Sequence, residues 1–280
     1  MLSFVYPSFN PVAVDLGVLK IHWYGIAYAV GILLAWRYCL WLIRRMPLNV
    51  SQKALSDYIP WVIFGIVLGG RLGIALFYNI DYYARHPLEI FYIWRPGMAF
   101  HGGLLGVVTA TVWYCHRKKL PLLELADLLA ASAPIGLFFG RCANFINGEL
   151  WGRPTTVSWG MIFPRVDSFP RHPSQLYEAA LEGVLLFVIL HFTATRTDLR
   201  RRSPGFICGL FFSGYGCVRV FVECFREPDR HIGYLMGGTT LGQWLSLPLI
   251  LAGIVFIVNA RLHKSGFSSV PQKSSSHDVL

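Results

Sequence analysis

Apolar residues dominate long uninterrupted stretches of this chain, separated by short polar connections. The runs His22 to Ile43, Ile59 to Tyr78, Ala99 to Cys115, Leu122 to Phe139, Leu176 to Phe192, Phe206 to Phe225 and Leu241 to Ala260 approach or reach the ~20 residues that a helix needs to cross ~30 Å of hydrocarbon. The pattern predicts an all-α, polytopic membrane protein with seven transmembrane helices. The third and fourth runs are the shortest. The longest connection, about 141–174, is rich in Gly, Pro and Trp; its aromatics argue for an ordered lid or short helices packed on the membrane surface. Residues 1–264 read as one membrane domain, and the Ser-rich tail 265–280 reads as disordered. No basic segment precedes the first apolar run, which is long enough to be kept as a span rather than cleaved.

Composition supports the membrane reading. Of 280 residues 54% are hydrophobic and only 14% charged, with a mean hydropathy of +0.48, too apolar for an ordinary soluble domain. Charge then orients the chain. Thirteen Lys and Arg, in the groups Arg44/Arg45/Lys53, Arg117/Lys118/Lys119, Arg196/Arg200/Arg201/Arg202 and Arg261/Lys264/Lys273, fall on one side, against nine on the other. The richer side is expected in the cytoplasm, which puts the N-terminus outside and the C-terminus inside. The net charge of +10 is thus explained largely by topology, and no nucleic-acid partner is implied. Nine basic residues are many for an outer face. For Arg85, Arg95 and Arg165, lipid headgroups and a specific anion are equal readings. The six cysteines form no CxxC pair, so neither a disulfide framework nor a metal site is expected.

Polar residues inside the spans mark the chemistry, because a charge at hydrocarbon depth costs a few kcal/mol and is usually paired, snorkelled or functional. The run from Gly140 to Gly152, Gly-Arg-Cys-Ala-Asn-Phe-Ile-Asn-Gly-Glu-Leu-Trp-Gly, follows directly on an apolar span. Arg141, Asn144 and Gly148 recur at helical spacing and present a cation and an amide on one face. Tyr24, in His22-Trp23-Tyr24-Gly25, taken alone reads as a membrane-belt aromatic. Arg71 lies among glycines and fits a structural ion pair as well as a site. His101, followed by Gly102 and Gly103, couples a titratable group to close backbone access. Ser174, in the run from Arg171 to Glu178, reads as a helix N-cap. Tyr215, Arg219, Glu223 and Arg226 form one helical stripe. Arg219 and Glu223 can neutralise each other at i, i+4, yet so polar a stripe predicts a water-accessible cavity.

Together these five ordered segments (His-Trp-Tyr-Gly, His-Gly-Gly, Gly140 to Gly152, His-Pro-Ser-Gln-Leu-Tyr-Glu and the Arg219/Glu223/Arg226 stripe) strongly resemble the bacterial prolipoprotein diacylglyceryl transferases over nearly the whole chain. The resemblance implies transfer of a diacylglyceryl group from phosphatidylglycerol to the thiol of the lipobox cysteine of a preprolipoprotein, with release of glycerol 1-phosphate. It implies a cytoplasmic (inner) membrane location with the site toward the outer face, and no cofactor. Carried over position by position, Tyr24, His101, Arg141, Asn144, Gly152 and Arg219 would be essential, with Glu149, Tyr215 and Glu223 supporting.

The chemistry suits these side chains. A thiol near pKa 8.5 needs a base, for which a histidine near 6.5 serves; the leaving phosphate gains charge, which arginines stabilise by bidentate bonds. His101 is then the expected base, or alternatively a headgroup ligand, while Arg141 and Arg219 clamp the phosphate and Asn144 positions it. Gly25, Gly31, Gly65, Gly69, Gly70 and Gly73 are read as leaving lateral openings for lipid. A transporter would show paired repeats and broken helices in matching halves. An intramembrane hydrolase would need a Gly-x-Ser-x-Gly, a pair of membrane aspartates or a His-Glu-x-x-His. None of these is found.

Overall fold

A computed structural model describes residues 4–17, 20–46, 48–92, 98–196, 203–228 and 233–262, without the side chains at 77, 78, 100, 101 and 196. Expectations for Arg95, Arg200, Arg201, Arg202, Arg230, Lys264, Lys273 and the tail 265–280 lie outside the described residues. In chain order the elements are β1 (Phe4–Val5), β2 (Val12–Asp15), β3 (Lys20–His22), α1 (Trp23–Arg45), α2 (Gln52–Gly73), α3 (Ile80–Arg85), α4 (Phe100–Lys118), α5 (Leu122–Asn147), β4 (Met161–Ile162), β5 (Pro170–Arg171), α6 (Ser174–Glu178), α7 (Leu186–Arg196), α8 (Phe206–Glu223) and α9 (Leu241–Leu262). A π-helical turn at Ile74–Tyr78 extends α2, and a longer one, Ala179–Leu185, joins α6 to α7.

Six helical stretches among the described residues are long and apolar enough to cross a membrane: Trp23–Arg45, Gln52–Leu76, Leu122–Asn147, Ser174–Thr195, Phe206–Glu223 and Leu241–Leu262. The chain is a helical, multi-pass membrane protein. The expected third span does form a helix, α4, but His101, Thr109, Thr111 and the run His116, Arg117, Lys118 leave it less apolar than the other six.

The chain divides into two compact units, residues 36–126 and residues 1–35 with 127–280. In the first, α2 and α4 meet backbone to backbone. A Cβ on Gly69 would stand 2.3 Å from the Gly102 carbonyl oxygen, and one on Gly65 2.6 Å from that of Gly106. These glycines were expected to leave lateral openings. Gly65, Gly69 and Gly73 are instead filled by the other helix, because residues without side chains allow the closest helix approach. The same crossing occupies Gly102, whereas a Cβ on Gly103 would meet only the Ile66 carbonyl oxygen, at 3.6 Å. Tyr58, Tyr114, Leu42, Leu55 and Leu125 are fully buried in this unit; the Tyr58 hydroxyl lies 2.6 Å from Thr111 Oγ1, and Tyr114 donates to the Ala54 carbonyl at 2.7 Å. Arg71 is buried and donates to the carbonyls of Ile90 (3.1 Å) and Glu89 (2.8 Å), binding the turn after α3 to α2.

The second unit holds α5 from Asp127 onward and α6 to α9, with the start of α1 and the N-terminal strands. α5 continues past Phe139 to Asn147, so Arg141 and Asn144 lie in its last turns and the connection runs from Gly148 to Pro173. Among the described residues that connection contains strands rather than short helices: β1 pairs in parallel with β4, which pairs antiparallel with β5. Tyr6, just after β1, is buried, stacks on Phe163 and donates to the Ile146 carbonyl at 2.6 Å, anchoring the N-terminal segment on the end of α5. Asp127, at the other end of α5, accepts from the backbone N–H groups of Gly205 and Cys208, each at 2.8 Å. Gly205 itself has no capping side chain, so a carboxylate from another helix satisfies the first N–H groups of α8.

Candidate functional site

α5 ends because Gly148 takes a left-handed conformation (φ 68°), the usual helix stop. Leu150 is also left-handed (φ 57°), which is costly for a side-chain-bearing residue. Two buried residues at the start of α6 hold this turn: Ser174 Oγ donates to the Leu150 carbonyl at 2.8 Å, and Gln175 Nε2 donates to the Glu149 carbonyl. Ser174 is therefore not the N-cap expected of it. That position falls to Pro173, and the serine hydroxyl instead closes a contact 24 residues back in the chain.

Beside the last turns of α5 lies a buried ion network. Glu178 and Glu182 are both 0% exposed. Gly183 allows their helix to approach, since a Cβ there would stand 2.7 Å from that of Phe138 on α5. Arg141 points Nε and Nη2 at Glu182 Oε2, each at 3.0 Å, and Nη1 lies 3.2 Å from Glu178 Oε2. On α8, Arg219 pairs through Nη1 with Glu178 and through Nη2 with Glu223, while Arg226 Nη1 is 3.2 Å from Glu178. Thr240 donates to the second Glu223 oxygen at 2.7 Å, and the missing side chain of Gly242 leaves room for that carboxylate. Three guanidiniums thus share three carboxylates, and Glu178 touches all three. Breaking such a pair by removing one partner costs about 3–5 kcal/mol, so the network holds its members rigidly whatever its net stabilisation. The π-helical segment carries Glu182, and an extra residue in a turn is a frequent mark of functional sites.

The connection is tied to the same helix ends. Gly152 donates to the His172 carbonyl at 2.9 Å and Arg153 N–H donates to that of Phe225 at 2.8 Å. The Arg153 side chain donates to the carbonyls of Arg226 (2.9 Å) and Glu223 (3.1 Å), capping α8 with a cation where its dipole favours one. Arg171 reaches Asp167, Glu227 and the Gly152 carbonyl; its hydrogen bonds to the Asp167 carboxylate raise its pKa further above the ordinary guanidinium range. Burial lowers the pKa of His172. Its Nδ1 lies 3.1 Å from the Tyr177 hydroxyl, which accepts from Trp159 Nε1 at 2.7 Å.

The predicted residues sort into two adjacent groups and several outliers. Asn144 Nδ2 donates to the Tyr24 hydroxyl at 3.1 Å, joining the first turn of α1 to the last turns of α5. Arg141, one turn earlier on α5, meets Arg219 and Glu223 in the ion network. Tyr215, a turn before Arg219 on α8, stacks on Phe211. Glu149 is exposed and accepts from Asn147 Nδ2 at 2.6 Å. Gly152 stands where a Cβ would lie 2.5 Å from the carbonyl oxygens of both His172 and Phe225, giving the glycine a steric reason. His101 is on α4 in the other unit, and its side chain lies outside the described residues. Glu178 and Glu182 were missed as site residues. Their signal was present, since two carboxylates at i, i+4 within an apolar run need cations from elsewhere; Glu178 was read only as part of a helix start.

This fold and network define a multi-pass helical membrane protein with a charge-balanced arginine–glutamate cluster around two fully buried carboxylates. Residues 11–259 match the family described as prolipoprotein diacylglyceryl transferase, and the chain belongs to that family of transferases. It is similar to the phosphatidylglycerol–prolipoprotein diacylglyceryl transferase of Azospirillum brasilense, 49% identical over 263 residues covering 93% of this chain and 98% of the relative. The protein of that name from Rhodospirillum rubrum is 51% identical over 266 residues, 94% of this chain and 97% of the relative. That from Rhodopseudomonas palustris is 47% identical over 277 residues, 96% of each chain.

Proposed function

We infer that this chain transfers the diacylglyceryl group of phosphatidylglycerol to a prolipoprotein, the first step of lipoprotein maturation. The observation that carries the reading at the level of the site is that Arg141 and Arg219, from different helices, converge on one carboxylate, Glu178. The acceptor is the thiol of a lipobox cysteine. Its sulfur attacks a carbon of the lipid's glycerol backbone, a C–S bond forms as the C–O bond to phosphate breaks, and glycerol 1-phosphate leaves. His101 takes the thiol proton. The leaving phosphate gains charge as the bond breaks, and guanidinium N–H groups held in place stabilise that charge without reorganising. Arg141 offers its Nη1 and Nη2 end for this, with Arg219 as the second arm and the Tyr24–Asn144 pair orienting the headgroup.

The reading extends to topology. Helix α4 completes seven spans, the N-terminus lies outside, and the site faces the outer side of the bacterial inner membrane. Support comes from the Lys and Arg excess in the connections after α1, α4, α7 and α9. The lipid's acyl chains then remain in hydrocarbon while only its headgroup meets the polar residues.

The test is reconstitution of purified protein with phosphatidylglycerol and a lipobox peptide, scored by the mass increase on cysteine and by glycerol phosphate release. No transfer to a free thiol in the presence of lipid refutes the reading. Arg141→Lys keeps the charge and loses the fork, so transfer should fall about 100-fold; near-normal turnover would exclude bidentate clamping by Arg141.

A further inference from the structure

We propose that Glu182 is a positioning residue for the transfer reaction, holding the Arg141 guanidinium by its inner edge so that the opposite end is aimed at the phosphate. The proposal rests on the functional reading above. Its ground is the geometry of one carboxylate. Glu182 is wholly buried, and one of its oxygens, Oε2, receives both the Nε and Nη2 sides of Arg141 at 3.0 Å. A guanidinium gripped along that edge cannot rotate about its long axis, and its five N–H groups are fixed relative to the helix. At the opposite end Nη1 lies 3.2 Å from Glu178 Oε2, an oxygen that accepts no hydrogen bond among the described residues, which leaves the Nη1 N–H groups for the phosphate. Glu182 is itself anchored by the π-helical segment Ala179–Leu185 and by the close approach of Gly183 to Phe138.

Charge sharpens the inference. With three arginines and three glutamates the network is formally neutral, so it does not bind anions merely by being positive. Replacing Glu182 with glutamine leaves the shape and adds one net positive charge. Ground-state attraction for the anionic lipid should then rise, while the hold on Arg141 weakens from a charge-assisted pair to neutral hydrogen bonds on the remaining amide oxygen. Glu182→Asp does the opposite: it keeps the charge and withdraws the carboxylate by one methylene.

The experiment measures kcat and KM for phosphatidylglycerol with a lipobox peptide in wild type, Glu182→Gln, Glu182→Asp and Glu182→Gln combined with Arg141→Lys, with melting temperature in detergent recorded for each. Glu182→Gln should lose about 100-fold in kcat, as expected for a misplaced catalytic group, with an unchanged or lower KM. Glu182→Asp should lose kcat at wild-type KM. The double variant should fall no further than Arg141→Lys alone, because Glu182 acts through Arg141. A Glu182→Gln kcat within about twofold of wild type, additive losses in the double variant, or a loss that tracks a lowered melting temperature each overturns the proposal. If wild type transfers nothing, the functional reading falls and this inference with it; if wild type is active, any of the other results removes this inference alone.

Discussion

Gly152→Ala is the most direct probe of how the connection and the site are joined. A Cβ at this position would lie 2.5 Å from two backbone carbonyl oxygens, those of His172 and Phe225, and 2.6 Å from the His172 Cβ. Carbon and oxygen settle at about 3.3 Å or beyond, so the segments must part by roughly 0.8 Å. Neither obstacle is the free end of a flexible side chain. The Gly152 N–H bond to the His172 carbonyl, now 2.9 Å, would lengthen to about 3.7 Å, past useful hydrogen bonding. Overpacking at about 1–3 kcal/mol and one lost bond at about 1 kcal/mol together cost about 2–4 kcal/mol. The movement is passed to Phe225 and so to Arg226, Glu223 and Arg219 at the end of α8, where a displacement near 1 Å costs about 100-fold in rate. The assay pairs transfer to a lipobox peptide with thermal melting in detergent. A Gly152→Ala protein that melts and turns over like wild type would refute the steric account. Activity loss at unchanged melting temperature would assign Gly152 to the substrate instead.

Two further predictions concern parts of the second unit away from the ion network. Asp127→Ala leaves the N–H groups of Gly205 and Cys208 without their acceptor and should cost about 2–3 kcal/mol, read as an earlier melt, whereas Asp127→Asn should cost less because one acceptor oxygen remains. Burial depresses the pKa of His172 in the folded state, so the unfolded chain takes up the proton first. The stability this histidine contributes is complete above its unfolded pKa near 6.5 and is lost as pH falls through the lower folded value. Melting temperature should therefore drop between pH 7.5 and pH 5, less steeply in His172→Gln; parallel curves for the two proteins would exclude the histidine as the cause.

Glycines and charges were legible in the sequence to different degrees. Arg141, Arg219 and Glu223 stood out because any charge in so apolar a chain demands an explanation, and the Arg219–Glu223 pair is a local i, i+4 relation. Arg141 and Glu182 are 41 residues apart, and no periodicity within one helix announces which cation a buried carboxylate meets. Glycines in α2 were recognisable as sites of close approach. Whether lipid or another helix fills the space depends on where Gly102 and Gly106 of α4 come to lie. Ser174 misled for a related reason: a hydroxyl at a helix start ordinarily bonds its own helix, and here the strained turn at Leu150 competes for it and wins.

Hydropathy alone determined that the chain crosses a membrane repeatedly as helices, because desolvating backbone polar groups in hydrocarbon leaves a long apolar segment no other means of satisfying its N–H and C=O groups. Motif order alone also carried the family, through five segments spread from Tyr24 to Arg226. Tertiary structure decided that the arginines are not bare cations but one half of a neutral network. Pairing between helices is set by three-dimensional approach, here by glycines at 183 and 242 that leave room for it, and by a π-helical turn that carries Glu182 to Arg141. The same physics turned the Gly140 to Gly152 motif from a list of polar residues into a helix end, a strained turn and a crossing of three backbone segments.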